Sequence, residues 1–140
     1  MSKVFTIERL VRHGHTDPAG IVYYPRYYEM INDTVEDFFR EVLGKPFGQM
    51  HLEDKKGIPL VKMETEFFAP SYADDVLLFS LSVTKLGKSS ISFEITVACE
   101  GEARLIARQV VVYTDLQQMK SSEIDTALRA QISTYISPKT

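Results

Sequence analysis

The chain has 140 residues, the size of one domain, so we expect residues 1–140 to form a single unit without a separate cofactor domain. Its 16 basic and 19 acidic residues give a formal net charge of −3, which argues against a general affinity for nucleic acid. One cysteine, no apolar run of about 20 residues and no leader-like N-terminus together predict a cytoplasmic protein without disulfides or membrane spans.

The first predicted elements are a strand, a loop and a long helix. Residues 3–12 alternate loosely between the two faces of a strand, and residues 13–20 form a loop because they contain two glycines and a proline. Residues 25–43 carry apolar side chains at three- and four-residue spacing, which predicts a helix that Gly44 ends. The apolar stripe consists of Tyr27, Ile31, Val35, Phe38, Phe39 and Val42. A short helix or turn is expected over residues 46–54.

After Gly57 the periodicity changes from helical to alternating, and short turns separate the segments. The four predicted strands are residues 59–69, 75–85, 89–100 and 104–114. Their short connections predict an antiparallel meander, and the apolar residues 110–113 indicate a strand near the centre of the sheet. A closing helix is expected over residues 122–132, where Ile124, Leu128 and Ile132 repeat every four residues.

A sheet of five strands needs its apolar face covered, and the helix over residues 25–43 is the only long apolar element available. The simplest arrangement wraps the sheet around this helix. We therefore predict the α+β class, with an antiparallel five-stranded sheet around a long central helix, an architecture that resembles the hot-dog fold.

The loop before the long helix is the strongest candidate for a catalytic site. It places Asp17 a few residues before the helix N-terminus, where backbone N–H groups lack an intrahelical partner and carry the positive end of the helix dipole. Such donors can polarise a carbonyl while a carboxylate attacks it or activates water. The same residues are compatible with a simple turn in which Asp17 bonds to its own backbone.

The run TDPAGIVYYPRY, residues 16–27, is similar to the signature of the 4-hydroxybenzoyl-CoA thioesterase family. The resemblance covers nearly the whole chain and includes the segments FFAP (67–70), YADD (72–75) and GKSS (87–90). It implies a hot-dog fold and the hydrolysis of an acyl-CoA to a free acid and coenzyme A, for which we expect no cofactor. It also implies a homodimer or homotetramer, because hot-dog relatives pair their sheet edges and build each active site from two chains.

Carried over residue by residue, the resemblance assigns the catalytic carboxylate to Asp17, as a nucleophile or as a general base on water. The backbone N–H of Tyr24, at the start of the helix, matches the family's oxyanion donor. Gly20 matches a glycine that lets the loop approach this end of the helix closely.

The resemblance also implies a site for the phosphates of coenzyme A. Lys88, with Lys85 and Ser89 nearby, matches the surface position where family members bind these phosphates. The alternative interpretation of the two lysines is a solvated turn.

His15 departs from the family pattern, because many relatives have an acidic residue two positions before the aspartate. His13, His15 and Asp17 stand on alternate residues, so on a strand they would share one side and could bind a metal ion. No fourth ligand stands out, since His51 lies in a stretch expected to be irregular. We expect no metal, and we interpret His15 as a residue of the substrate site that orients Asp17 or the loop by a hydrogen bond.

Aromatic residues are frequent around the motif, and most of them are expected to lie in the core or in an interface. The rest could line a pocket for an aromatic or medium-length acyl group, whose far end Asn32 and Asp33 could contact. The aromatic residues are Tyr23, Tyr24, Tyr27, Tyr28, Phe67, Phe68 and Tyr72. Cys99 lies in an alternating strand and is interpreted as a small buried apolar residue, not as a nucleophile.

Two other functions are compatible with the motif. Hot-dog hydratases and dehydratases act on enoyl or hydroxyacyl thioesters and usually place a histidine near the helix loop, a position that His15 could fill. A non-catalytic acyl-CoA binding or sensing domain would keep the lysines but lose the carboxylate, so the presence of Asp17 argues against it.

Overall fold

The computed structural model describes residues 2–137 of the chain, which contain three α-helices and eight strands. In chain order the elements are β1 (Phe5–Leu10), α1 (Tyr24–Glu41), α2 (Phe47–Leu52), β2 (Lys56–Gly57), β3 (Leu60–Phe67), β4 (Val76–Leu86), β5 (Ser90–Cys99), β6 (Glu102–Val112), β7 (Thr114–Asp115), β8 (Lys120–Ser121) and α3 (Thr126–Ser133). All the long elements expected from the sequence are therefore present. The two-residue strands β2, β7 and β8 form a small second sheet that the periodicity did not predict.

The main sheet has five antiparallel strands in the order β1-β4-β5-β6-β3. The expected meander of four strands is wrong at its first step, because β3 pairs with β6 and not with its neighbour in sequence, β4. The two edges of β4 are already occupied by β1 and β5. After β3, at one edge of the sheet, the chain therefore crosses over to β4, which lies next to the opposite edge. Strands β4, β5 and β6 do form a meander, and β6 is an interior strand as expected.

Helix α1 lies on the apolar face of the sheet, and together they confirm the hot-dog architecture. Phe38 is at the centre of the core, with its ring centroid 5.9 Å from that of Phe5, 6.0 Å from Phe93 and 5.1 Å from Tyr135. The helix begins one residue earlier than predicted, and the chain turns away at Gly44, whose φ is +66°. The buried residues of α1 are Tyr27, Met30, Ile31, Thr34, Val35, Phe38 and Phe39.

Strand β3 is an edge of the main sheet, and its outer side is open to solvent in the isolated chain. Leu60 and Val61 are both more than half exposed, and Val61 reaches 60%. An exposed apolar edge strand is a surface on which another strand can pair. Cys99 is buried in β5, which confirms that it is a small core residue. Among residues 2–137, no helix is both long and apolar enough to cross a membrane.

Candidate functional site

The segment between β1 and α1, residues 13–23, is called the motif loop below, and it is held by its own backbone hydrogen bonds. A short 3-10 turn, His13–His15, is followed by a narrow hairpin in which Thr16 pairs with Val22. Within the hairpin the Asp17 N–H donates to the Ile21 carbonyl at 3.0 Å, and the Tyr23 N–H donates to the His15 carbonyl at 2.9 Å. These bonds fix the path of the chain from the aspartate to the first turn of α1.

Asp17 occupies the first position of a tight turn at the tip of the motif loop. The Gly20 N–H donates to the Asp17 carbonyl at 2.9 Å, with proline at the second position of the turn. The Ala19 N–H donates to Asp17 Oδ1 at 2.8 Å, so the carboxylate does bond to its own backbone. Its second oxygen, Oδ2, receives no hydrogen bond from the described part of the chain and is available to a water molecule or a substrate.

Gly20 is required for a different reason from the one expected. A Cβ atom on this residue would meet nothing within 4 Å, so Gly20 does not serve a close approach within the chain. Its φ of +85° lies in the left-handed region, where a residue with a Cβ is strained. Gly20 therefore permits the turn that presents Asp17.

The first turn of α1 leaves one backbone donor free. Pro25 has no N–H, and the Arg26 N–H donates to the Tyr23 carbonyl at 2.8 Å. Nothing within residues 2–137 accepts a hydrogen bond from the Tyr24 N–H. This donor lies at the positive end of an 18-residue helix, where a developing negative charge is stabilised.

His15 orients the motif loop, because its Nδ1 accepts a hydrogen bond of 2.8 Å from the Arg12 N–H. The expectation that His13, His15 and Asp17 share one side of a strand and could bind a metal ion there is wrong, since His13 and His15 lie in a 3-10 turn. Within residues 2–137, no three side chains of histidine, cysteine, aspartate or glutamate come together closely enough to hold a metal ion. His51 lies in α2, not in an irregular stretch, and it stacks on Phe47.

A buried arginine that the sequence analysis did not single out holds the segment against which the motif loop packs. Arg104, on β6, is 8% exposed and donates from Nη1 to the Pro70 carbonyl at 3.0 Å, to Ser71 Oγ at 2.9 Å and to Asp75 Oδ2 at 2.8 Å. Its Nε lies 2.8 Å from the Glu102 carboxylate, at an angle that makes an ion pair but no hydrogen bond.

The segment that Arg104 holds, residues 70–75, is bonded to both ends of the stretch 11–22, which contains the Asp17 turn. At one end the Val11 N–H donates to the Asp75 carbonyl at 2.8 Å, and at the other the Val22 N–H donates to the Ser71 carbonyl at 2.9 Å. Arg104 thus holds the segment that the chain contacts at the end of β1, through Val11, and just before α1, through Val22. A lone arginine in an alternating strand is usually solvent-facing, so only the fold reveals this role.

The predicted phosphate-binding residues do not come near Asp17 within one chain. Lys85 and Lys88 are exposed at the turn between β4 and β5, beside Ser89, whereas Asp17 lies by the opposite end of β4. The 11 residues of β4 separate the two ends by about 35 Å. Arg129 adds a third basic side chain to this turn, because its Nη2 donates to the Gly87 and Lys88 carbonyls.

A groove with a volume of about 690 Å³ opens along α1, on the side that faces β3. Tyr28, one helical turn after Tyr24, lies in its wall and bonds to Thr65 of β3 at 3.2 Å. Asn32 also lies in this groove and in a smaller polar cleft, which it shares with His15 and Asp33. The groove thus begins one helical turn after the start of α1, at Tyr28.

The aromatic residues around the motif divide into two groups. Tyr27 is buried, with its ring centroid 5.8 Å from that of Phe67, and Tyr28 is half-buried. Only these two belong to the core, and the remaining residues are exposed in the isolated chain, so their place in an interface stays a prediction. The exposed residues are Tyr23, Tyr24, Phe67, Phe68 and Tyr72. They surround the motif loop as an open apolar surface.

Comparisons with known proteins agree with this geometry. The model of the thioesterase-like superfamily matches residues 11–132. A 1,4-dihydroxy-2-naphthoyl-CoA hydrolase from Nostoc punctiforme is 31% identical over 110 residues, which are 77% of this chain and 74% of the relative. A 4-hydroxybenzoyl-CoA thioesterase from Pseudomonas sp. strain CBS-3 is 24% identical over 132 residues, 89% of this chain and 94% of the relative.

A solved structure with the same fold is that of a 1,4-dihydroxy-2-naphthoyl-CoA thioesterase from Synechocystis. It superposes with a TM-score of 0.85 at 22% identity and covers 94% of this chain and 96% of its own. The long helix and the five-stranded sheet are therefore the arrangement of this structural class.

The contacts of Asp75 predict a specific dependence of stability on pH. The hydrogen bond from the Tyr72 N–H and the one from Arg104 hold the pKa of Asp75 below its usual value of 3.8. The stabilisation from ionised Asp75 is thus complete above that value and is lost as the pH falls through the lower folded pKa. We expect Asp75→Asn to lower the free energy of unfolding at pH 7 by about 1–3 kcal/mol, and to flatten its decline below about pH 4.

Urea unfolding between pH 7 and pH 3 measures this difference. Asp74→Asn is the matched control, because Asp74 is exposed and asparagine tolerates its φ of +73°. Parallel pH profiles for the wild type and Asp75→Asn would show that the contact with Arg104 contributes nothing specific.

Proposed function

Because this chain belongs to the thioesterase-like superfamily and is an acyl-CoA thioester hydrolase, we propose that Asp17 and the Tyr24 N–H form its catalytic centre. The observation that carries the proposal is the free Asp17 Oδ2 on the same rigid loop that leads to the unpaired Tyr24 N–H. One group can supply a nucleophile or a base, and the other can stabilise an oxyanion.

In the proposed reaction the thioester carbonyl oxygen accepts a hydrogen bond from the Tyr24 N–H, and the α1 dipole favours the charge that develops there. Asp17 then takes a proton from a water molecule that adds to the carbonyl carbon, or attacks this carbon itself to form a mixed anhydride that water hydrolyses. In both routes the C–S bond breaks, the thiolate of coenzyme A takes up a proton, and the acid is released. Incorporation of oxygen-18 from labelled water into Asp17 in a single turnover demonstrates the anhydride route, because the general-base route leaves the Asp17 carboxylate unlabelled.

We further propose that the acyl group is a hydroxylated aromatic acid bound in the groove beside α1. The relatives from Nostoc and Pseudomonas are named for 1,4-dihydroxy-2-naphthoyl-CoA and 4-hydroxybenzoyl-CoA, both of which carry aromatic acyl groups with hydroxyls. The groove walls include Tyr28, Phe47 and Met63, which suit the flat face of a ring. The volume of about 690 Å³ accommodates either acyl group.

We propose that two copies of the chain pair through β3 and that the coenzyme A phosphates bind at the turn with Lys85, Lys88 and Ser89 of a neighbouring copy. The exposed edge of β3 supports the pairing, since it presents unpaired backbone groups beside apolar side chains. The length of β4, about 35 Å between the end near Asp17 and the end near the lysines, supports a second chain as their source. The assembly is then a homodimer, or a homotetramer built from such dimers.

The carboxylate role of Asp17 is tested with Asp17→Asn. Asparagine keeps the turn hydrogen bond from Ala19 but is neither a base nor a nucleophile, so we expect kcat to fall by about 10²–10⁴-fold. Release of free thiol from 1,4-dihydroxy-2-naphthoyl-CoA and 4-hydroxybenzoyl-CoA measures the loss, and calorimetry with the intact thioester checks that binding persists. Glu41→Gln, at an exposed residue at the opposite end of α1 from the motif loop, is the control. Near-normal thiol release by Asp17→Asn would refute the assignment.

The proposed pairing through β3 is tested with Val61→Glu. A buried carboxylate at the strand edge has no partner, so we expect the variant to be a monomer at concentrations where the wild type is a dimer or larger. Light scattering after size exclusion gives the mass, and thiol release is expected to fall with it. Met119→Glu introduces the same charge at an equally exposed apolar residue outside the sheet edge. An unchanged mass for Val61→Glu contradicts the pairing.

A further inference from the structure

The groove beside α1 contains one polar group that the fold does not explain. Gln109 lies on the inward face of β6, opposite Met63 of β3 and Phe93 of β5, and it is 7% exposed. No hydrogen bond joins its side-chain amide to another residue of the part described, 2–137, and the side chain lines the groove. The amide faces the groove, where water can bond to it, so a ligand that displaces this water must replace its hydrogen bonds.

The position of Gln109 along the groove follows from the contacts between α1 and β3. Tyr27 packs on Phe67 and Tyr28 bonds to Thr65, so the helix runs antiparallel to β3 from its first turn. Gln109 is paired with Met63, which precedes Thr65 by two residues on β3. Because the helix runs antiparallel to this strand, Met63 and Gln109 lie near the level of Asn32, which lines the same groove. Asn32 follows Tyr24 by eight residues, or about 12 Å along the helix axis.

This offset along the helix axis limits which substrate can contact both the Tyr24 N–H and the Gln109 amide. A carbonyl oxygen bonded to the Tyr24 N–H and a hydroxyl bonded to the Gln109 amide take up about 2.9 Å at each end. Along the helix axis about 6 Å remain between them, which is comparable to the span of one aromatic ring with the hydroxyl meta or para to the carbonyl. An ortho hydroxyl stays near the level of the carbonyl and is therefore further from Gln109 along this axis.

We propose that Gln109 is a specificity-determining residue that hydrogen-bonds a ring hydroxyl meta or para to the thioester carbonyl. The proposal rests on the function proposed above, because it places the acyl group in this groove. An amide can donate to the hydroxyl oxygen and accept from its O–H, so it recognises a hydroxylated ring. A ring without this hydroxyl leaves the buried amide unpaired, which disfavours the unsubstituted substrate.

The test compares two pairs of substrates that differ only in this hydroxyl. They are 1,4-dihydroxy-2-naphthoyl-CoA with 1-hydroxy-2-naphthoyl-CoA, and 4-hydroxybenzoyl-CoA with benzoyl-CoA. In the wild type we expect kcat/KM to be about ten-fold or more higher for the hydroxylated member of the pair that the enzyme uses better. In Gln109→Met, which keeps the length of the side chain, we expect this ratio to fall by about ten-fold, with kcat/KM for the other member unchanged or raised.

Gln109→Leu repeats the measurement with a second apolar side chain, and thermal unfolding identifies a variant that fails to fold. Gln118→Met is the matched control, because Gln118 is exposed and outside the groove. A ratio that is the same in the wild type and in the folded Gln109 variants overturns the proposal. Equal losses on both members of a pair overturn it as well.

Binding of the free acids separates this proposal from the proposed function. If the wild type hydrolyses none of the four thioesters, the proposed function fails, and calorimetry with 4-hydroxybenzoate and benzoate then decides the role of Gln109. Tighter binding of the hydroxylated acid by the wild type, lost in Gln109→Met, supports it. Equal binding of both acids, or binding of neither, overturns it.

Discussion

The arrangement of the candidate site depends on the hydrogen bonds of the Arg104 guanidinium. It is almost fully buried, and it holds residues 70–75 through a backbone carbonyl, a hydroxyl and a carboxylate. This segment in turn bonds to Val11, two residues before the motif loop, and to Val22, near the end of that loop. The aspartate and the helix start therefore keep their relative positions because one buried cation joins the sheet to the loop, and a buried cation with its partners removed is strongly destabilising.

Much of the fold could be predicted from periodicity, because each long element buries one face. The stripe from Tyr27 to Phe39 is helical in spacing and lies on the sheet, and the alternating segments are the strands. The place of β3 could not be predicted, since strand pairing depends on which edges remain free after β1 and β5 have paired with β4. The strands β2, β7 and β8 have two residues each, too few for any period to be visible.

The candidate site was predictable where its structure is local. An aspartate, a proline and a glycine at the positions of a tight turn, followed by a proline near a helix start, indicate the Asp17 turn and the free Tyr24 donor. The roles of Arg104 and Gln109 depend on tertiary contacts. Both lie on β6. The alternation of apolar residues there predicts a strand, but it does not predict which groups each side chain contacts.

Pro25 has a consequence for how the substrate is held. Because it removes an N–H from the first turn of α1, a single backbone donor is left there, and in the proposed site this donor alone meets the carbonyl oxygen. One hydrogen bond fixes the distance of the carbonyl but leaves the thioester free to rotate about it. In the proposed binding mode, the angle at which the carboxylate meets the carbonyl carbon is then set by the far end of the acyl group, which lies between α1 and β3. The contacts that recognise the acyl group therefore also align the reacting atoms. A substrate whose acyl group fits poorly is expected to lose kcat before it loses binding affinity.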